Sequence, residues 1–335
     1  MSTSTDNNST SNIRSLAIST SDFYSIKFSI YLFLIIPSIS CSLFALYHFL
    51  YDRNLRQALH NHIIIVLLVL NLFYELTIMT CMMHYFRNFQ KFPPSILFHV
   101  IYGYIDWTFY IVESMLYAWV TLERHILIFH DHLIVNKYKR ILIHYFPPVL
   151  IIVYCFVYHG IIFFTWPCTN SNESITRIFF TPCAFQNVSL FLYEMITHYV
   201  SPILIIVISS FTLLARVIWR KYRVQRRVNW NRYRKMAVQV LTISSLYGIF
   251  IFPYIFMNFL YICGIPVDME NNFFFVSPYL AYYTFLLFPM VTIGSLPELR
   301  EKVKSILPCL KQQRVIHPIN LTIFQTANNQ LQTIQ

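Results

Sequence analysis

The sequence predicts an all-α integral membrane protein, a seven-transmembrane helix bundle followed by one short amphipathic helix. Three observations predict it. Of 335 residues, 56% are hydrophobic and 12% charged, about half the charged fraction of an average soluble domain. The charges also leave long gaps. No Asp, Glu, Lys or Arg stands between Lys235 and Asp268, between Glu270 and Glu298, or within Phe28 to Tyr51, Ile141 to Trp166 and Met195 to Ala215. Each gap holds the roughly 20 apolar residues that cross a hydrocarbon core of about 30 Å. Finally, with the N-terminus outside, all but five of the 25 Lys and Arg fall on the cytoplasmic side; the exceptions are Arg14, Lys27, Arg87, Lys91 and Arg177. That bias is the positive-inside rule.

Residues 1–27 are rich in Ser, Thr and Asn and lack the apolar core of a signal peptide, so the first span serves as its own targeting signal. They form an extracellular tail with overlapping acceptor sequons at Asn7 and Asn8. Two further spans, His62 to Phe86 and Ser95 to Leu122, carry isolated acids: Glu75 in one, Asp106 and Glu113 in the other. A charge at the bilayer centre costs about 2.5–3.5 kcal/mol, which long apolar flanks offset. The loop after span four holds Cys168, Cys183 and sequons at Asn172 and Asn187. A bridge between those two cysteines, in an oxidising compartment, closes a loop of about 15 residues and stabilises by roughly 3 kcal/mol; the alternative is two unpaired thiols. A sequon at Asn320 falls on the cytoplasmic side and stays unmodified.

Residues 28–296 make the bundle and 297–335 the cytoplasmic tail. In PELREKVKSIL, Leu299, Val303, Ile306 and Leu307 share one helical face, suited to lie on the inner membrane surface. Cys309 follows, a palmitoylation candidate or a plain reduced thiol. The net charge of +11 reads as topology and contact with anionic lipid, with no nucleic-acid partner. An intramembrane hydrolase needs paired catalytic acids, a nucleophile with its base, or a His cluster; Glu75 and Glu113 are the only candidate pair and lack a recognisable motif, so neither an enzyme nor a cofactor is expected. A transporter or channel is the alternative class, weakened by the absence of matching halves and by only five glycines.

Glu123-Arg124-His125 at the inner end of span three, prolines within spans five to seven, and the amphipathic helix together resemble a divergent rhodopsin-like (class A) G-protein-coupled receptor across roughly residues 25 to 310. Where that family reads Asp/Glu-Arg-Tyr, this chain has His125; where it reads Cys-Trp-x-Pro, this chain has Phe250-Ile251-Phe252-Pro253. Where it reads Asn-Pro-x-x-Tyr, this chain has Phe288-Pro289-Met290-Val291-Thr292. The resemblance implies a plasma-membrane receptor with the C-terminus inside and a heterotrimeric G protein as partner. It implies Arg124 held by Glu123 at rest. The usual helix-six acid is absent from Arg232-Tyr233-Arg234-Lys235, and Ser210 and Thr292 replace the usual tyrosines. A weak clasp and measurable basal signalling are therefore expected. The family's bridge from the second outer loop to helix three is also lost, because His99 occupies its position.

The same resemblance puts Asp106 where amine receptors hold the ligand's ammonium, with Tyr282 supporting it and Glu194 facing the same cavity beside Tyr254. Two acids in a low-dielectric pocket favour a cationic ligand, an amine or a peptide with Arg or Lys. Asn71 takes the place of the family's sodium-binding Asp, with Glu75 a turn above it and Glu113 on span three. Glu113 then binds a proton or, with Asn71, sodium, and otherwise serves as polar glue. No lysine lies between Lys235 and Lys302, which excludes a retinal Schiff base of the usual kind.

Overall fold

The computed structural model describes residues 6–88, 95–129, 136–165, 182–223, 230–262 and 272–306, and every regular element among them is helical. The chain divides into two compact units, residues 1–299 and 300–335. Among the described residues, seven long helices build the first. Helix α1 (Asp6–Tyr51) begins well inside the expected tail, and its stretch Tyr24–Tyr51 has the length and hydropathy of a membrane span. Helices α2 (His62–Arg87), α4 (Tyr138–Phe164) and α5 (Val188–Trp219) qualify equally. Helix α3 (Ile96–Phe129) carries the chain's densest set of intramembrane charges. Helix α6 runs as Ala237–Phe250 and Phe252–Leu260, bent by 43° at the break. Helix α7 (Asn272–Ser295) continues through Pro278 and Pro289. A last helix, α8 (Pro297–Ile306), begins with Glu298 and ends with Lys304, each charge favouring its end of the helix dipole.

Neighbour relations place α3 at the centre. It packs against α2, α4 and α5 and touches α6, while α5, α6, α7, α1 and α2 follow one another around it. The position suits its sequence. Asp106, Glu113, Glu123 and Arg124 are all buried in protein, where partners replace water.

The distribution of polarity is inverted relative to a soluble protein. Val149, Val153, Val157 and Ile161 recur every fourth residue of α4, and each is more than half exposed. Meanwhile Glu75, Arg124, His144, His159, Glu194 and His198 are buried. Apolar outside and charged inside is stable only where the surrounding solvent is lipid. One hydrophobic cluster fills the space among α1, α2, α3 and α7, around Tyr31, Tyr74, Met82, Phe86, Tyr102 and Phe285.

Proline accounts for most departures from regular helix. Pro253 has no N–H and its ring crowds the preceding turn, which bends α6 there. Ahead of Pro147 and Pro148, residues Ile141–Tyr145 form a π turn; ahead of Pro202, Met195–Val200 form another. Widening the turn relieves the clash. A third π turn, Glu75–Met79, has no proline; there the Thr80 hydroxyl takes the Glu75 carbonyl at 3.2 Å. Each π turn carries a buried titratable side chain: Glu75, His144 or His198.

Candidate functional site

A cavity of about 90 Å³ opens among α2, α3, α5, α6 and α7, with Asp106 in its wall. Tyr74, Tyr110, Tyr199, Tyr254 and Tyr282 line it together with Trp107. Asp106 is nearly enclosed, and its two oxygens have separate donors. The Tyr74 hydroxyl donates to Oδ1, and Tyr282 donates to Oδ2 at 3.1 Å. Tyr74 is itself fixed by stacking on Phe285, with centroids 3.9 Å apart. A carboxylate fixed in this way inside a wall of six aromatic rings presents negative charge and electron-rich faces together. That is the chemistry that attracts an ammonium or guanidinium group.

The structure brings Asp106, Tyr254 and Tyr282 into one cavity as the sequence led one to expect, but Glu194 is not among the lining residues. Its carboxylate is engaged elsewhere. Oε1 lies 3.2 Å from His159 Nε2 on α4, and Oε2 lies 2.7 Å from His198 Nδ1 one turn along α5. The physical reason is that a fully buried carboxylate needs polar partners close by, and two imidazoles on α4 and α5 lie within reach of its two oxygens. Tyr74, Trp107, Tyr110 and Tyr199 were missed by sequence reasoning. A signal existed for Tyr110, since a spacing of four from Asp106 puts both on one face of α3.

The bundle acids also sort differently. Asn71 Nδ2 donates to Glu75 Oε1 at 2.9 Å, and the Ser38 hydroxyl of α1 donates to the same oxygen. Glu113, expected to bind a proton or, with Asn71, sodium, lies beside Tyr247 of α6 and within electrostatic reach of Glu75. Glu75 was the nearer partner because it follows Asn71 by one helical turn.

At the other end of α3, the expected clasp of Arg124 by Glu123 is only part of the arrangement. Glu123 acts on Arg124 electrostatically, while its Oε1 contacts His144 Nδ1 at the start of α4. From there a polar chain continues to His62 at 3.1 Å and on to the Arg56 carbonyl at 2.8 Å. Arg124 is fully buried, and its Nη2 donates to Gln239 Oε1 of α6 at 3.2 Å. Further bonds tie the same region together. The Tyr117 hydroxyl donates to the Val240 carbonyl at 2.8 Å, Ser210 pairs with Ser244 at 2.7 Å, and His125 Nε2 meets the Ser209 carbonyl at 2.7 Å. On α6 a neutral amide thus bonds Arg124, and His125 ties α3 to α5.

The remaining expectations divide by position. Cys183 is disulfide-bonded, while Cys168, Asn172 and Cys309 lie outside the described residues. Asn187 is exposed and caps α5, accepting from the Ser189 and Leu190 amides at 3.0 and 3.3 Å. Asn7 and Asn8 lie in the first turns of α1, with their side chains outside the description.

The chain resembles squid rhodopsin in three dimensions: against that crystal structure the TM-score is 0.65, at 17% sequence identity over 87% of each chain. No family model and no curated protein matches the sequence. The protein therefore has the fold of a rhodopsin-like G-protein-coupled receptor, a multi-pass bundle of seven membrane helices.

Proposed function

We propose that this chain is a plasma-membrane receptor that converts binding of an extracellular cationic ligand, an amine or a basic peptide side chain, into activation of a heterotrimeric G protein. The observation that carries the reading is Asp106, held between two tyrosine hydroxyls in a cavity walled by aromatic rings. The likeness to squid rhodopsin is one of fold and not of chromophore, since α7 carries no lysine.

The orientation follows from the distribution of Lys and Arg, with the N-terminus outside and the basic segment Arg216 to Lys235 inside, facing the G protein and anionic lipid. In the outer loop Cys168 is the partner of Cys183, and Asn7, Asn8, Asn172 and Asn187 are the glycosylation sites. Cys309 carries a palmitoyl chain next to α8. Signalling works by releasing the α3–α6 hydrogen bonds, so that Arg124 exchanges Gln239 for the G protein. A guanidinium suits the exchange because it stays charged while changing partners.

The test is a screen of amines and basic peptides on cells expressing the chain with a panel of G-protein reporters. A response that Asp106→Asn abolishes supports the reading. Agonist-independent ion or solute flux in proteoliposomes, with no reporter response to any cation, replaces it with the transporter or channel class.

A further inference from the structure

We propose that His159, Glu194 and His198 form a zinc site that joins α4 to α5. One ring nitrogen from each histidine and one carboxylate oxygen lie within 4.8 Å of one another, and all three side chains are fully buried. In tetrahedral zinc with bonds of about 2.0–2.2 Å, neighbouring ligand atoms sit roughly 3.4 Å apart. The observed separations, 3.2 Å from His159 Nε2 to Oε1 and 2.7 Å from His198 Nδ1 to Oε2, are both shorter than that spacing, so the ligands must part by a few tenths of an ångström or more to take the ion. Small rotamer adjustments admit the ion.

The orientation of His159 is the stronger argument. Its Nδ1 lies 2.9 Å from the Cys155 carbonyl, which only accepts, so Nδ1 carries the hydrogen. In the neutral ring Nε2 is then a bare lone pair, and it faces a carboxylate oxygen. Two acceptors at 3.2 Å require a cation between them, either a second proton or a metal. A ring nitrogen bonded to a backbone carbonyl while the other points at an acid is the outer-shell arrangement that supports metal-bound histidine. His198 Nε2 lies 2.9 Å from the Tyr154 hydroxyl, which can accept its hydrogen and in turn meets Tyr193 at 3.0 Å. The Tyr158 ring covers both imidazoles, with centroid distances of 5.1 and 4.8 Å, and limits water at the site.

Local backbone contributes as well. Glu194 and His198 are separated by four residues on either side of the entry to the π turn Met195–Val200, and such turns are frequent at functional sites. Two histidines and one glutamate match the protein ligand set of known zinc centres, with the fourth position left to water. The next residue, Tyr199, lines the cavity that holds Asp106. Zinc at His198 therefore fixes one wall of that cavity.

The test uses the full-length chain in nanodiscs, with any affinity tag removed and bound metal stripped by chelator, titrated with zinc chloride against a chromophoric chelator. One zinc per chain is expected, with affinity lowered about 100-fold or more in His159→Gln and Glu194→Gln, beyond what loss of an outer-shell partner costs. Thermal midpoint should rise with zinc in the wild type and not in the variants. Zinc uptake well below one per chain, or wild-type affinity in either variant, overturns the proposal and leaves a proton as the shared cation. Should either variant not fold, cobalt substitution of the wild type decides: tetrahedral visible bands support the site and their absence refutes it. No agonist is needed, so failure here is distinct from failure of the receptor reading.

Discussion

The amide that faces Arg124 gives the sharpest test of how the resting bundle is held. Arg124 Nη2 donates to Gln239 Oε1 at 3.2 Å, and the guanidinium is 0% exposed. A hydrogen bond to a charged group contributes about 1.5–3 kcal/mol, and a separation at the long end of the N–H to oxygen range argues for the lower figure. Gln239→Ala removes that contribution from the latched state alone, because an opened α6 no longer presents the amide. A loss of about 1.5 kcal/mol moves the latched-to-open equilibrium roughly tenfold. A basal open share of about 1% would rise to about 10%. Gln239→Glu has the opposite sign, since a carboxylate opposite the guanidinium makes the bond charge-assisted on both sides. Agonist-free nucleotide exchange on purified G protein, with the receptor in nanodiscs at matched concentration, measures both. A change under twofold for Gln239→Ala, or basal exchange in Gln239→Glu at or above wild type, would refute the reasoning.

Asp106→Asn keeps the shape of the carboxylate and removes its charge; loss of one partner of a buried charge pair costs about 2–5 kcal/mol, so potency of a cationic agonist should fall at least about 30-fold, read as a dose-response shift. Asn187→Ala deletes the cap that serves the Ser189 and Leu190 amides and should destabilise by about 0.5–2 kcal/mol, seen as a lower thermal midpoint, whereas Asn187→Ser should largely retain it. Cys183→Ser breaks the outer-loop disulfide and should cost roughly 3 kcal/mol if the closed loop is the one ending at Cys168; peptide mapping without reductant identifies the partner, and a bridge to any other cysteine would overturn the pairing. Tyr117→Phe deletes the bond to the Val240 carbonyl and should raise basal exchange less than Gln239→Ala does, by a factor equivalent to about 0.5–1.5 kcal/mol. Combined with Gln239→Ala it should fall short of additivity, because both act on one stretch of α6.

How much of this was legible depended on whether the signal was local. Charge-free gaps located α1, α4, α5, α6 and α7 because crossing a bilayer constrains a continuous stretch of about 20 residues. Asp106 and Tyr282 were found through the resemblance to amine receptors. What the sequence concealed were pairings set by packing between helices. Nothing near Glu123 points to His144, and nothing near Arg124 points to Gln239, which follows a run of bases and looks like one more polar residue at the end of a span. Glu194 shows the same limit from the other side. Its distance from Pro202 suggested the cavity, but the π turn Met195–Val200 shifts the register of α5, and the two histidines take the carboxylate. Proline at 202 was visible; the widened turn it induces was not.

The interior polar residues of α3 make sense as one stripe. Asp106, Tyr110, Glu113, Tyr117 and Arg124 follow at steps of four, three, four and seven, which keeps all five on one face of a helix with 3.6 residues per turn. Each of four positions meets α6 or α7: Asp106 meets Tyr282, Glu113 lies beside Tyr247, Tyr117 bonds Val240, and Arg124 bonds Gln239. Tyr117 and Tyr247 also stack with centroids 4.7 Å apart. The stripe therefore connects the floor of the cavity to the inner latch through contacts with the same two helices. A cation drawn to Asp106 competes with the tyrosine hydroxyls for its oxygens, and Tyr282 is the donor that α7 contributes. Displacing that hydroxyl loosens α7 from α3 at the upper end of the stripe, next to the helix whose lower end holds Arg124. In this arrangement the charges that look misplaced in an apolar sequence are the residues through which one central helix holds α6 and α7.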